Sequence, residues 1–249
     1  MIYIRNSGEI EKLRKSARIV AEILNRIESR IQPGVSTEEL DREIEEYILS
    51  KDARPAFKGF RGFPASTCIS LNDEVVHGIP DKRKLETGDI VSVDVGVELN
   101  GYYGDAAKTF AVGDVSDDKK RLMKITQESL SAGIEAAKEG NRLSDISHAI
   151  QTHVETAGFS VVRDLVGHGI GKQMHEEPQI PNYGEPNRGP RLKTGMVFAI
   201  EPMVNMGRFE VKTLSDNWTV ATLDGLPSAH FEHDIVVNGE QAEILSILN

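Results

Sequence analysis

Ile90-Val91-Ser92-Val93-Asp94-Val95-Gly96-Val97, followed by Glu98-Leu99-Asn100-Gly101-Tyr102-Tyr103-Gly104-Asp105, reads as a β-hairpin carrying two aspartates. Over 90–97 the four valines fall on one face of a strand, and Ile90, Ser92, Asp94 and Gly96 on the other. Asn100-Gly101 is a strong two-residue turn signal, because both positions of that turn require positive φ. With the turn there, Gly96 faces Asp105 and Asp94 faces Ala107. Asp94 and Asp105 then lie on one face as diagonal neighbours, roughly 7–8 Å apart at Cβ or a little less, a span that two carboxylates close around a metal. Like charges so placed need solvation, protonation or a cation. An exposed polar face is the alternative reading of the hairpin by itself.

On the N-terminal side, Ile10, Leu13, Ala17, Val20, Leu24 and Ile27 recur at helical spacing from about Asn6 or Ser7, and Pro33-Gly34 ends the segment. Ser36-Thr37-Glu38-Glu39 is a capping-box sequence opening a second, shorter helix through Leu40, Ile44 and Ile48. Strands occupy roughly 53–112. The order then restarts: Leu122, Ile125, Leu130, Ile134 and Ala137 mark a long helix stopping at Gly140, and Ile146, Ile150 and Val154 a short one running to Gly158, with strands beyond 161. Helix, helix, strands, twice over, suggests two similar α+β halves of one domain, 1–112 and 113–249, sharing one sheet system. Two unrelated α+β segments are the alternative.

The second half holds further charged groups in apolar settings. Glu201 interrupts Met196-Val197-Phe198-Ala199-Ile200-Glu201-Pro202-Met203-Val204, and Glu232 interrupts Phe231-Glu232-His233-Asp234-Ile235. Such carboxylates are costly unless paired or metal-bound. Glu201 could instead mark a strand end before Pro202, and Glu232 could face water. Gly167-His168-Gly169-Ile170-Gly171 reads as a flexible loop presenting one imidazole, with His175 seven residues on. Two Asp, two Glu and one His form a hard, oxygen-rich set that suits Mn, Fe, Co or Zn in a dinuclear site better than a structural zinc site.

Composition narrows the field. With 29 basic and 39 acidic side chains among 249 residues the net charge is −10, which gives no electrostatic footprint for nucleic acid or anionic lipid. One cysteine, Cys68, excludes an intrachain disulfide and suits a reducing compartment. Met1 to Asn6 lacks an apolar signal core, and no stretch approaches a membrane span. A cytoplasmic protein is expected.

Val76-His77-Gly78-Ile79-Pro80, Asp94-Val95-Gly96 with Gly101-Tyr102-Tyr103-Gly104-Asp105, Val166 to Gly171, Ala199-Ile200-Glu201-Pro202 and Phe231-Glu232-His233 occur in one order that closely resembles the type I methionine aminopeptidases. The resemblance runs across nearly the whole chain. It implies the α+β pita-bread fold, two pseudo-symmetric halves with antiparallel sheet and outer helices. It implies Asp94, Asp105, His168, Glu201 and Glu232 as ligands of two divalent ions (Co, Mn, Fe, Zn or Ni), with Asp94 and Glu232 bridging or bidentate. By the same resemblance His77 and His175 contact substrate, Glu201 is the general base, and a metal-bridging hydroxide attacks the scissile carbonyl. Phe60, Phe63, Cys68 and Trp218 would line the methionine pocket, with ordinary core packing as their alternative role. Carbonyls around Asn72, Glu74 and Ser228 would hold a monovalent cation. Short spacings between His168, Glu201 and Glu232 leave no room for a long helical insertion, favouring type I over type II.

The implied activity is removal of the initiator methionine from nascent chains with a small second residue, by a monomer whose partners are the nascent N-terminus and, through the family's role, the ribosome, but neither DNA nor membrane. Proline-specific peptidases of the same fold and a noncatalytic peptide-binding module are the competing readings. One departure stands out: Asp234 follows Glu232-His233 where the family usually has threonine, which puts an extra carboxylate beside the ligand set.

Overall fold

The computed structural model describes residues 1–248. Four helices, α1 (Ser7–Ile27), α2 (Thr37–Ser50), α3 (Asp117–Ala136) and α4 (Leu143–Thr156), lie where the periodicity places them. Asn6 and Ser36 cap the first two through reciprocal bonds with Glu9 and Glu39, satisfying backbone donors that a helix start leaves free. α3 stops at Ala136, short of Gly140. Residues 137–140 make the turn, with Gly140 at φ 91.

Strands Ile90–Leu99 and Tyr102–Ala111 form the expected hairpin, with Asn100 and Gly101 at φ 53 and 80. Its register is the one the turn dictates: Gly96 opposite Asp105 and Asp94 opposite Ala107. Val91, Val93, Val95 and Val97 are fully buried against α1 and α2. Each such burial contributes roughly 1.5–3 kcal/mol, so the apolar face pins the hairpin and turns Asp94 and Asp105 away from the helices. Gly104 has a separate role. Helix α1 crosses so close that a Cβ there would collide with the backbone nitrogen of Ala17.

The second half packs α3 and α4 against Phe198, Ile200, Val204, Ile235 and Val237. Among the described residues, hydrogen bonding divides the strands into four antiparallel sheets rather than one shared system. Strand Glu74–Val76 of the first half pairs with Val220–Thr222 of the second, stitching the halves together. Two strand pairs share an interruption. Val197–Ile200 pairs with His233–Asn238 in the five-stranded sheet, and Met203–Asn205 pairs with Ser228–His230 in a three-stranded one. The register on either side of the gap sets Glu201 opposite Glu232. Both glutamates therefore sit where the chain passes between sheets. Pro202, which has no N–H to give a ladder, explains one side of the break.

The Gly167–Gly171 segment is not the flexible loop its glycines suggest. Val166–Gly169 is a strand between Glu176–Pro181 and Val197–Ile200. A Cβ at Gly167 would lie 2.5 Å from the Ala199 carbonyl oxygen, and one at Gly169 would collide with that of Glu177. The glycines allow close backbone approach, which fixes His168 rather than freeing it. Among the described residues no helix is long and apolar enough to cross a membrane.

Because the Gly104 contact is backbone against backbone, no rotamer change relieves it. Gly104→Ala should lower unfolding stability by roughly 1–3 kcal/mol, read as a reduced urea midpoint. An unchanged midpoint would contradict this packing.

Candidate metal centre and substrate cavity

Asp94 and Asp105 enter the space between the halves from the hairpin, His168 from its glycine-flanked strand, and Glu201 and Glu232 from the two strand breaks. One ligand atom each from Asp105, His168 and Glu232 lie within 4.8 Å of one another. His168 Nε2 is 3.5 Å from Glu201 Oε1. His168 Nδ1 is 3.0 Å from the Gly169 carbonyl oxygen, so Nδ1 carries the proton and Nε2 presents its lone pair inward. All five sequence-predicted ligands line one cavity.

Asp105 and Glu232 are buried, and Asp94 Oδ1, Asp105 Oδ1 and Glu232 Oε1 have no hydrogen-bond partner. Among the described residues no lysine or arginine pairs with any of the four carboxylates. Burial pushes the Asp94 carboxyl up to about 7, restrained by a hydrogen bond with Asp105. Burial first, then mutual repulsion, drives Asp105, Glu201 and Glu232 well above the usual carboxylate range. Inward-facing oxygens without partners, beside a neutral imidazole, fit divalent cations of the harder transition series.

Asp234 lies directly behind this group. It is 1% exposed, and its Oδ2 accepts from the Asp105 backbone N–H at 2.8 Å. It steadies the strand at a ligand position, and its other oxygen is buried without a partner. Sequence reading singled it out as a departure without indicating this contact.

The cavity, about 190 Å3, continues from the carboxylates into an apolar wall of Phe60, Phe63, Cys68 and Trp218. Phe63 and Trp218 meet edge to face at 5.2 Å, and Cys68 pairs with Asp94 across neighbouring strands. Burial and the nearby carboxylates push the Cys68 thiol up, so it acts as a small apolar group. Phe57, Arg61 and Met174 also line the space. Sequence reading missed them, although Met174 adjoins His175 and Phe57 lies one helical turn's spacing before Phe60.

His77 and His175 face the same cavity. His77 holds a left-handed backbone at φ 59, a conformation costly for a side chain with a Cβ. The His175 ring lies 4.3 Å from that of His168 and 5.3 Å from that of Phe60. Burial, followed by the neighbouring His168, pushes His175 down to about 3, and burial lowers His77. Both are neutral at physiological pH.

For the remaining expected site, the Ser228 N–H donates to the Asn72 carbonyl at 2.8 Å, and Lys119 Nζ lies 2.8 Å from Asn72 Oδ1. The Glu74 carboxylate turns instead to the Leu71 N–H and Arg83.

The model of metallopeptidase family M24 matches residues 11–239. The chain belongs to this family. Within M24 it is similar to a methionine aminopeptidase of Clostridium perfringens, 53% identical over 248 residues and covering 100% of both chains. It is 54% identical over 246 residues to methionine aminopeptidase 1 of Bacillus subtilis, covering 99% of each. A solved methionine aminopeptidase from Thermotoga maritima superposes with a TM-score of 0.98 at 46% identity, covering 100% of both chains. A Pyrococcus furiosus prolidase, 24% identical with a TM-score of 0.81, shares the fold; this chain covers 66% of it. Membership of M24 accords with the pita-bread architecture and with divalent-metal use.

A folded-state carboxyl that titrates higher than its unfolded counterpart holds its proton more tightly when folded. By linkage, the metal-free protein loses stability as pH rises between the ordinary Asp value of 3.8 and about 7. Divalent ions favour the ionised set, so the gain in Tm on adding Mn(II) should grow from about pH 5 to about pH 7.5. Melting curves with Mn(II) or with chelator check this. A gain that shrinks with rising pH contradicts it.

Proposed function

We propose that this chain is a metal-dependent aminopeptidase that hydrolyses the bond after an N-terminal methionine, acting on nascent proteins with a small second residue. The observation that carries the reading is the junction of a hard, carboxylate-rich ligand set with a narrow apolar pocket in one cavity. A free α-amine belongs beside the carboxylates, and a thioether side chain beside Phe60, Phe63, Cys68 and Trp218. The preference for a small second residue is part of the same proposal.

Asp94, Asp105, His168, Glu201 and Glu232 are assigned to two divalent ions. When bound, such ions supply Lewis acidity, lowering the pKa of water and polarising a carbonyl. Glu201 accepts the proton of the attacking water and passes it to the leaving amine. The 3.5 Å between its Oε1 and His168 Nε2 supports this role. His175, neutral with a low pKa, donates an N–H to the developing oxyanion without carrying charge into the ground state. His77 contacts the scissile amide nitrogen. The N-terminus of the nascent chain is the proposed partner, met in the cytoplasm at the ribosome by a monomeric enzyme. A monovalent ion near Asn72, Glu74 and Ser228 belongs to the same proposal.

His168→Ala or Asp94→Ala should abolish release of methionine from a Met-Gly-headed peptide, with circular dichroism unchanged; full activity in either variant would overturn the assignment. The parent enzyme should cleave Met-Gly-headed peptides and leave Xaa-Pro peptides intact. The reverse preference would move the reading to the prolidase side of the fold.

A further inference from the structure

Among the described residues the His175 ring makes no hydrogen bond; it packs 4.3 Å from the His168 ring and 5.3 Å from the Phe60 ring. Its position is therefore set by the backbone of the 170–175 segment, which joins strands Val166–Gly169 and Glu176–Pro181. That segment is tied down through Glu176. Glu176 Oε1 accepts from the N–H groups of Lys172 at 2.8 Å and Gln173 at 3.2 Å, closing the loop on itself. Its other oxygen pairs with the guanidinium of Arg5, and both side chains are 6% exposed. A buried carboxylate without its cation is strongly unfavourable, so the two groups stay together.

Arg5 is itself anchored. Its N–H donates to the Gly195 carbonyl at 2.7 Å, the Glu9 carboxylate lies 3.7 Å from its Nη1, and the Tyr3 ring covers the guanidinium at 4.7 Å. Gly171 leaves room for it, since a Cβ there would collide with the guanidinium. A further bond, from the Tyr103 N–H to the Gly171 carbonyl at 2.9 Å, joins the loop to the strand that carries Asp105.

We propose that Arg5, in the arm preceding α1, is a positioning residue for His175, acting through Glu176 and the loop it closes. The proposal rests on the reading that His175 contacts the reacting substrate. Arg5 lies outside the cavity lining and touches neither metal ligands nor substrate pocket, so its effect belongs to the rate of the bond-breaking step rather than to metal or methionine binding.

The test uses the Mn(II)-loaded full chain and a Met-Gly-headed tripeptide. Arg5→Ala should lower kcat roughly 10- to 100-fold, the scale of a misplaced catalytic group, with KM and Mn(II) affinity within about twofold of the parent. Arg5→Lys, which keeps the charge, should recover most of the rate. In a His175→Ala background, Arg5→Ala should add no further loss. Losses that multiply in the double variant, or full kcat in folded Arg5→Ala despite a lower Tm, would reduce Arg5 to a stabilising role and overturn the proposal. Arg5→Gln, which keeps a donor and sheds the charge, gives the same readout if the alanine variant does not fold. Hydrogen exchange decides the matter apart from activity: the amides of Lys172 and Gln173 should lose protection in Arg5→Ala, and unchanged protection overturns the proposal even if the parent cleaves no methionyl peptide.

Discussion

Asp94, Asp105, Glu201, Glu232 and Asp234 gather five carboxyl groups in and directly behind one cavity, and among the described residues no lysine or arginine pairs with any of them. Their mutual repulsion, added to the cost of burial, is the constraint the architecture has to satisfy, since a buried anion must be protonated, paired or metal-bound. The packing elsewhere is strong enough to hold them there. Four valines on the opposite face of the hairpin are fully buried, and α3 and α4 cover the strands that carry the glutamates. Metal binding at this set, as proposed, would relieve an unfavourable arrangement that the hydrophobic core imposes.

The two halves solve the same placement problem differently. In the first, an unbroken hairpin presents aspartates at diagonal positions, so the pleat alone points both inward. In the second, a pair of strands breaks at a shared level, and the longer glutamates sit opposite one another in the gap. His168 completes the set from a strand whose flanking glycines let its neighbours close in. Beside this charged wall, neutral histidines and an aromatic pocket give the cavity two ends of opposite character, which is what an N-terminal methionine requires.

Much of this was legible in the sequence because it depends on local rules. Asn100-Gly101 fixes the hairpin turn, and the turn fixes the register that brings Asp94 and Asp105 to one face. The periodic faces of α1 to α4 likewise follow from spacing alone. What escaped depends on contacts between distant segments. The role of Gly167 and Gly169 is close approach to Ala199 and Glu177, and a glycine-rich stretch carries no mark that separates this from flexibility. The Arg5–Glu176 pair spans most of the chain, and no periodicity records it. The Asp234 contact with the Asp105 backbone depends on how two sheets meet. The pairing of Glu201 with Glu232 needed both registers, though Pro202 had signalled one of the breaks.

If the four carboxylates and His168 hold divalent metal, crystals equilibrated with Mn(II) should show it in anomalous diffraction. Strong manganese peaks are expected within coordination distance of Asp94, Asp105, His168, Glu201 and Glu232, next to the Phe63 and Trp218 pocket. Manganese confined to other parts of the surface, with these five side chains unligated at saturating ion, would contradict it.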